Sequence, residues 1–268
     1  QTVNLKQDYG FGSEVRVLVD VVPTVQPGES KAILVVGDTA DGALYPTFSD
    51  LAAWAYRVLK SEGLSKESIR FFAAAPYDAD WDGVDDVYAA PTLANLESAI
   101  TSWGADTERL LVYFIDHGQR RSFRMNATEY LEASELDRIL DAVQRVDYSP
   151  HVTVVMDTCE SGSFVPLLQG QERTIMTSAG VGPVQGVALF DKNEYISFSL
   201  AFWNGIFNGK TYGQAFDEAK LSIEAVNPLQ VPQIEDNNDG IANQSGDGAV
   251  ADKMRPGADF AVRSAGVF

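Results

Sequence analysis

The chain has 268 residues, 45% of them hydrophobic, which is enough apolar material for one large domain with a substantial core. Acidic residues outnumber basic ones 38 to 20, and the resulting formal charge of −18 repels phosphate backbones, so nucleic acid is not an expected partner. A single cysteine excludes an internal disulfide, and no apolar run is long enough to span a bilayer.

The chain begins at Gln1 with nothing that resembles a signal peptide, and it reads as a mature or excised fragment. Residues 1–30 alternate in places and break at Pro23 and Pro27-Gly28, which predicts an N-terminal β extension or linker. Residues 32–37 form the first buried strand. Leu51, Ala55, Val58 and Leu59 then recur at helical spacing over 48–61, and Gly63 closes that helix. With the strand at 69–73 this makes a βαβ unit.

The acidic loop at 78–86 follows. Thr92 caps a predicted helix over 93–103 with Leu96, Ile100 and Trp103 inward. The run Leu110-Leu111-Val112-Tyr113-Phe114-Ile115 is a buried strand that ends in Asp116-His117-Gly118. Residues 119–133 are polar and predicted as an exposed excursion. Ser134 with Asp137 marks the start of a helix whose inward face is Leu136, Ile139, Leu140 and Val143. A second buried strand, Val152-Thr153-Val154-Val155-Met156-Asp157, leads into Thr158-Cys159-Glu160-Ser161-Gly162-Ser163.

Beyond a short helical stretch, strands are expected at 173–180 and 187–190 and helices at 196–207 and 212–226. The tail from 227 is turn-rich, with a second acidic loop at 235–240 and a last strand at 260–263.

Two parallel strands that end in His117 and Cys159 deliver an imidazole and a thiol to one sheet edge, where open α/β sheets bind ligands. His151 cannot be the partner. It begins the strand that Cys159 follows, about 26 Å away at ~3.3 Å per extended residue. Gly118 and the Ser161-Gly162-Ser163 turn let backbone N–H groups approach a substrate oxygen. Taken singly, a strand-end histidine and a lone buried cysteine are as readily core residues.

In the first acidic loop, Asp78, Asp80 and Asp82 precede Gly83 as the oxygen ligands of a calcium loop do, with Asp85 or Asp86 to complete it. An EF-hand would close at Ala89, which cannot ligate. Glu235, Asn237 and Asp239 precede Gly240 in the same way. The expected cofactor is therefore Ca2+, with no organic cofactor; the plain alternative is a pair of solvated acidic turns.

The pair of motifs Tyr113-Phe114-Ile115-Asp116-His117-Gly118 and Met156-Asp157-Thr158-Cys159-Glu160-Ser161-Gly162-Ser163 resembles the catalytic signature of the legumain-like cysteine peptidases. These are grouped with caspases, gingipains and clostripain. The 42-residue separation and the order His then Cys suit that group, the similarity covers 31 to about 226, and the acidic loops resemble those of a bacterial branch. The resemblance implies an α/β fold of the caspase–haemoglobinase type, a three-layer sandwich with a mostly parallel sheet and helices on both faces. It divides the chain into an extension (1–30), a peptidase domain (31–227) and an acidic loop and tail packed on it (228–268).

By the same resemblance, Cys159 is the nucleophile, His117 the general acid/base, and Gly118 with Cys159 supplies oxyanion N–H groups. Asp157 and Glu194 match acids of the pocket for the residue before the cut, and Ser178 joins that substrate-binding set. Pro46 and Thr47 stand where the family has Arg-His, and Asp38 or Thr39 stands in for the residue that orients the histidine. Acids without the arginine favour a cationic side chain, so cleavage after Arg or Lys is expected, with Asn second.

The expected partner is a peptide or protein substrate, with no membrane span. Self-cleavage is a further expectation, since Arg120, Arg121, Arg124 and Arg173 fall in loops assigned to the rim. The charge suits a secreted, periplasmic or cell-surface setting. Alternatives are a transamidase or ligase, in which an amine intercepts the acyl-enzyme, and a catalytically silent calcium-binding module of the same fold.

Overall fold

The computed structural model describes residues 30–37, 39–40, 42–145, 150–190 and 196–257. Of the N-terminal extension expected over 1–30, all but Ser30 lies outside them, as do Asp38, Glu194 and the expected strand at 260–263, whereas Ser30 opens the first strand. The chain runs β1 (Ser30–Val36), α1 (Tyr45–Ser61), β2 (Ile69–Phe72), β3 (Val87–Ala89), α2 (Leu93–Ser98) and β4 (Arg109–Ile115), then β5 (Gly118–Gln119), β6 (Ser122–Arg124) and β7 (Tyr130–Glu132). It continues through α3 (Ala133–Gln144), β8 (His151–Asp157), α4 (Val165–Leu168), β9 (Arg173–Thr177), α5 (Gly182–Gln185), α6 (Phe198–Phe207), α7 (Tyr212–Val226) and β10 (Gln233–Glu235).

Seven strands form one sheet in the order β10-β9-β8-β4-β1-β2-β3, parallel throughout except for β10. The chain leaves β1 towards β2 and β3 and returns on the other side of β1 as β4. The strand order therefore reverses between β1 and β4, and the loops after those strands diverge, which opens a crevice at the carboxyl rim.

Both faces of the sheet are covered, so its strands are apolar almost without interruption. Leu34, Val36, Tyr113 and Ile115 pack with α1, α6 and α7, and the intervening Ile33, Val35, Val112 and Phe114 pack with α2 and α3. Helix α6 contributes Phe198, Phe202, Trp203 and Ile206, all fully buried. Each such side chain stabilises the fold by roughly 1.5–3 kcal/mol. This is the α/β sandwich that the strand and helix pattern predicts.

The differences from expectation are local. Residues 118–132 are not a simple exposed excursion but a three-stranded antiparallel sheet, β5-β6-β7, that buries Phe123, Met125 and Leu131. Ser134 does not cap α3. The helix starts one residue earlier, directly from β7, with no side-chain cap, and Asp137 instead accepts from Arg173 Nη1 at 2.8 Å. Residues 187–190 form no strand, because the free edge of β9 is taken by β10. Trp103 is only half-buried. The helix widens to a π turn over Ala99–Trp103, and the indole meets Lys31 and Arg70 at 4.8 and 4.6 Å from its ring centre.

Residues after α7 close onto the end of α1. Arg255 Nη2 donates to both oxygens of Glu62 at 2.8 and 2.7 Å, and Nη1 donates to the Gly209 carbonyl at 2.6 Å, with both side chains buried. Removing one member of a buried pair leaves the other charge uncompensated. Arg255→Leu is expected to cost about 3–5 kcal/mol in urea denaturation, while the double substitution Glu62→Leu/Arg255→Leu recovers part of that loss.

Candidate active site at the carboxyl rim

Strands β4 and β8 pair in parallel and unbroken register from Arg109↔His151 to Ile115↔Asp157. His117 and Cys159 each lie two residues beyond the last pair, so they leave neighbouring strands at the same height. The two strand ends also touch. A Cβ built on Gly118 would lie 2.2 Å from Thr158 Oγ1 and 2.8 Å from the Cys159 carbonyl oxygen, so only glycine fits that approach. His151 sits at the far end of β8, with Nε2 3.0 Å from Thr174 Oγ1 and Nδ1 3.2 Å from Glu172. Burial pushes its pKa below the usual histidine value, against the opposing pull of Glu172.

Cys159 is half-buried and His117 exposed. The imidazole packs at 83° against Phe48, with ring centres 5.5 Å apart, and Phe48 packs on Phe190 at 4.9 Å. Phe48 belongs to the first turns of α1, so the start of that helix packs beside the imidazole. Among the described residues no hydrogen bond joins the thiol to the imidazole. Cys159 Sγ instead lies 4.0 Å from the Ala188 carbonyl oxygen.

The turn after the cysteine is anchored on several sides. Glu160 has φ 59°, its N–H donates to the Gly186 carbonyl at 2.6 Å, and both carboxylate oxygens accept from Gly182 N at 3.0 Å. Ser161 Oγ and Gly162 N both reach the Ala179 carbonyl, at 3.2 and 2.9 Å. Ser163 Oγ donates to the Glu160 carbonyl and accepts from Arg121 N, each at 2.6 Å. A non-glycine residue in the left-handed region is unusual, and here the carboxylate clamp on Gly182 accompanies it. Sequence reasoning missed Glu160, since no spacing rule marks a carboxylate whose partner lies 22 residues later.

Of the expected substrate-binding residues, Glu194 is outside the described residues. Asp157 is fully buried and turned towards α6, where its Oδ2 accepts from Ser199 N at 3.0 Å and Ser199 Oγ at 2.5 Å. It thereby caps the first turn of α6, the plain reading of a strand-end carboxylate. Burial raises its pKa, opposed by Ser199 and Ser178. Ser178 is also fully buried; its Oγ and Asp157 Oδ1 lie close without a hydrogen bond of normal geometry. Pro46 and Thr47 occupy the first turn of α1.

The acidic loops lie away from the rim. Asp78 accepts from Asp82 N at 3.1 Å and Gly83 N at 2.9 Å, and it shares a cluster with Asp80 and Asp86 in which one oxygen of each lies within 4.8 Å of the others. Asp82 is outside that cluster, with its own carboxylate accepting from Val84 N at 2.8 Å. Asp85 is not part of it either, because its carboxylate holds the N–H groups of Tyr77 and Val87, both at 2.9 Å. The chain's own cations meet this cluster: Lys60 pairs with Asp80, and Lys66 with Asp86 at 2.5 Å. The second loop begins at Glu235, which pairs with Ile175 inside β9 rather than at its rim end.

Arg120 and Arg121 form the exposed β5–β6 turn beside the rim, and Arg124 closes β6. Arg173 does not belong with them. It opens β9 at the opposite edge, buried between Asp137 and Asp141, each at 2.8 Å.

The sequence model of the Peptidase C13 family matches residues 95–226, a stretch that contains both strand-end motifs. No curated protein sequence matches the chain. Among solved structures, caspase-1 from Spodoptera frugiperda is similar in fold, with a TM-score of 0.53 at 12% identity over 80% of this chain and 88% of that one. The family match thus spans both His117 and Cys159, and the sheet that carries them is similar to that of a caspase.

Proposed function

We propose that the chain is an endopeptidase in which Cys159 Sγ attacks the carbonyl carbon of the scissile bond and His117 moves the protons. The observation that carries this is the β4/β8 register, which brings both residues off adjacent strands at one height. His117 takes the thiol proton and passes it to the leaving amine as the tetrahedral intermediate collapses to a thioester. The backbone N–H groups of Cys159 and Gly118 receive the oxyanion, and a water deprotonated by His117 then releases the acid product. The aromatic shelf of Phe48 and Phe190 supports the imidazole over the cleft.

For specificity we infer preference for Arg or Lys before the cut, with Asn second. The support is the resemblance, in which pocket acids stand without the arginine that Pro46 and Thr47 replace, together with the acidic character of the whole chain. A cationic side chain would pair with such acids.

Intact-mass measurement after brief exposure to peptidyl acyloxymethyl ketones ending in Arg, Lys, Asn or Asp tests both readings. One adduct on Cys159 is expected, fastest with Arg or Lys, none in Cys159→Ala, and slower by roughly 10²–10⁴-fold in His117→Ala. Labelling no faster than that of an ordinary exposed thiol refutes the nucleophile, and fastest labelling by the Asn reagent refutes the basic preference alone.

Gly118→Ala is expected to lower stability by about 1–3 kcal/mol, because Thr158 and the cysteine backbone must shift. Thermal denaturation measures that loss, and the labelling rate of the variant should fall with it.

A further inference from the structure

The loop after β10 differs from the first acidic loop in one respect that decides its chemistry. Glu235 is fully buried; its Oε1 accepts from Asp239 N at 2.9 Å and Gly240 N at 3.5 Å, whereas its Oε2 is buried with no hydrogen-bond partner. Asp247 repeats the pattern from the other side of the loop. Its Oδ2 accepts from Gln244 N at 2.6 Å, and its Oδ1 is buried without a partner.

Asp236 brings the two together by accepting from Gly248, Val250 and Ala251 N, each at 2.9 Å, which folds the segment that carries Asp247 back towards Glu235. Asn237 Oδ1 accepts from Asp239 N at 2.9 Å and Asp239 Oδ1 from Ile241 N at 2.8 Å, so both side chains curl over the same turn. Gly240, at φ 73°, makes that turn, and a Cβ there would come within 2.7 Å of Gln169.

No lysine or arginine pairs with Glu235, Asp239 or Asp247 among the described residues. In the first loop Lys60 and Lys66 fill that role. Two buried carboxylate oxygens with nothing to bind are costly to fold around.

We propose that this loop is a calcium site, with Glu235 Oε2, Asn237, Asp239 and Asp247 Oδ1 as its side-chain ligands. The donors are oxygens only, with three carboxylates, one amide and no histidine or cysteine in the loop, which suits a hard cation. An irregular loop that wraps its ligands suits calcium better than magnesium, which demands near-octahedral geometry and retains its waters. The site lies behind the rim, on the side of β10 away from Cys159. Its effect is to fasten β10, whose Gln233 reaches the nucleophile turn: a Cβ on Gly162 would lie 2.5 Å from Gln233 Oε1.

The test uses the whole chain, stripped with a chelator and titrated with calcium chloride by calorimetry and by thermal unfolding. One ion bound at this loop should raise Tm by roughly 5–10 °C at calcium about 100-fold above Kd, with magnesium doing much less. Glu235→Gln and Asp247→Asn should each weaken binding at least about ten-fold. Asp239→Asn, at an exposed position that leaves the core untouched, should do the same should either buried variant fail to fold. Asp78→Asn should leave binding intact. Absence of calcium heat and of any Tm rise overturns the proposal, as does binding that survives these substitutions and is lost in Asp78→Asn.

Discussion

The parallel pairing of β4 with β8 is the constraint on which the rest of the molecule depends. Side chains in a strand alternate between faces, so a slip of one residue would turn the apolar set of β8 over and also displace Cys159 relative to His117. The register is secured because both faces are buried: Val154 and Met156 pack on one side of β8 and Val155 on the other. The same contacts that make the sheet stable therefore align the two strand ends. The near contact of Gly118 with Thr158 and the Cys159 carbonyl is the visible outcome at the rim.

Around that alignment the loops contribute position rather than bulk. The turn after Cys159 is bonded to the loops that follow β9 and β5, through Ala179, Gly182, Gly186 and Arg121. Phe48 of α1 and Phe190 complete the opposite wall. The reversal of strand order between β1 and β4 leaves room for this construction, since two diverging loops cannot close over the sheet edge there.

What the sequence disclosed follows from how the information is distributed along it. The runs at 110–115 and 152–157 are continuous and apolar because those strands are covered twice, and α6 and α7 fall where helices are expected at 196–207 and 212–226. The conjunction of His117 and Cys159 at one edge follows from two such strands being neighbours. By contrast, β10 is three residues long and becomes a strand only because β9 has a free edge, a fact that residues 233–235 do not contain. The hairpin at 118–132 hides its buried Phe123 and Leu131 among polar neighbours. Asp157 finds Ser199 across 42 positions, and the acidic loops, alike in spacing, part ways because lysines from α1 and the segment before β2 reach only the first. Partnerships at such separation leave no periodic trace.

The half-buried thiol of Cys159 is the only sulfhydryl in this chain. Mild oxidation of a thiolate gives a sulfenic acid, which is ordinarily rescued by condensation with a second cysteine. This chain offers no second cysteine, so recovery from oxidant exposure depends on a thiol from outside it that can reach Cys159. Access to the half-buried sulfur then governs how long it survives an oxidising environment, because further oxidation to the sulfinic acid is ordinarily irreversible.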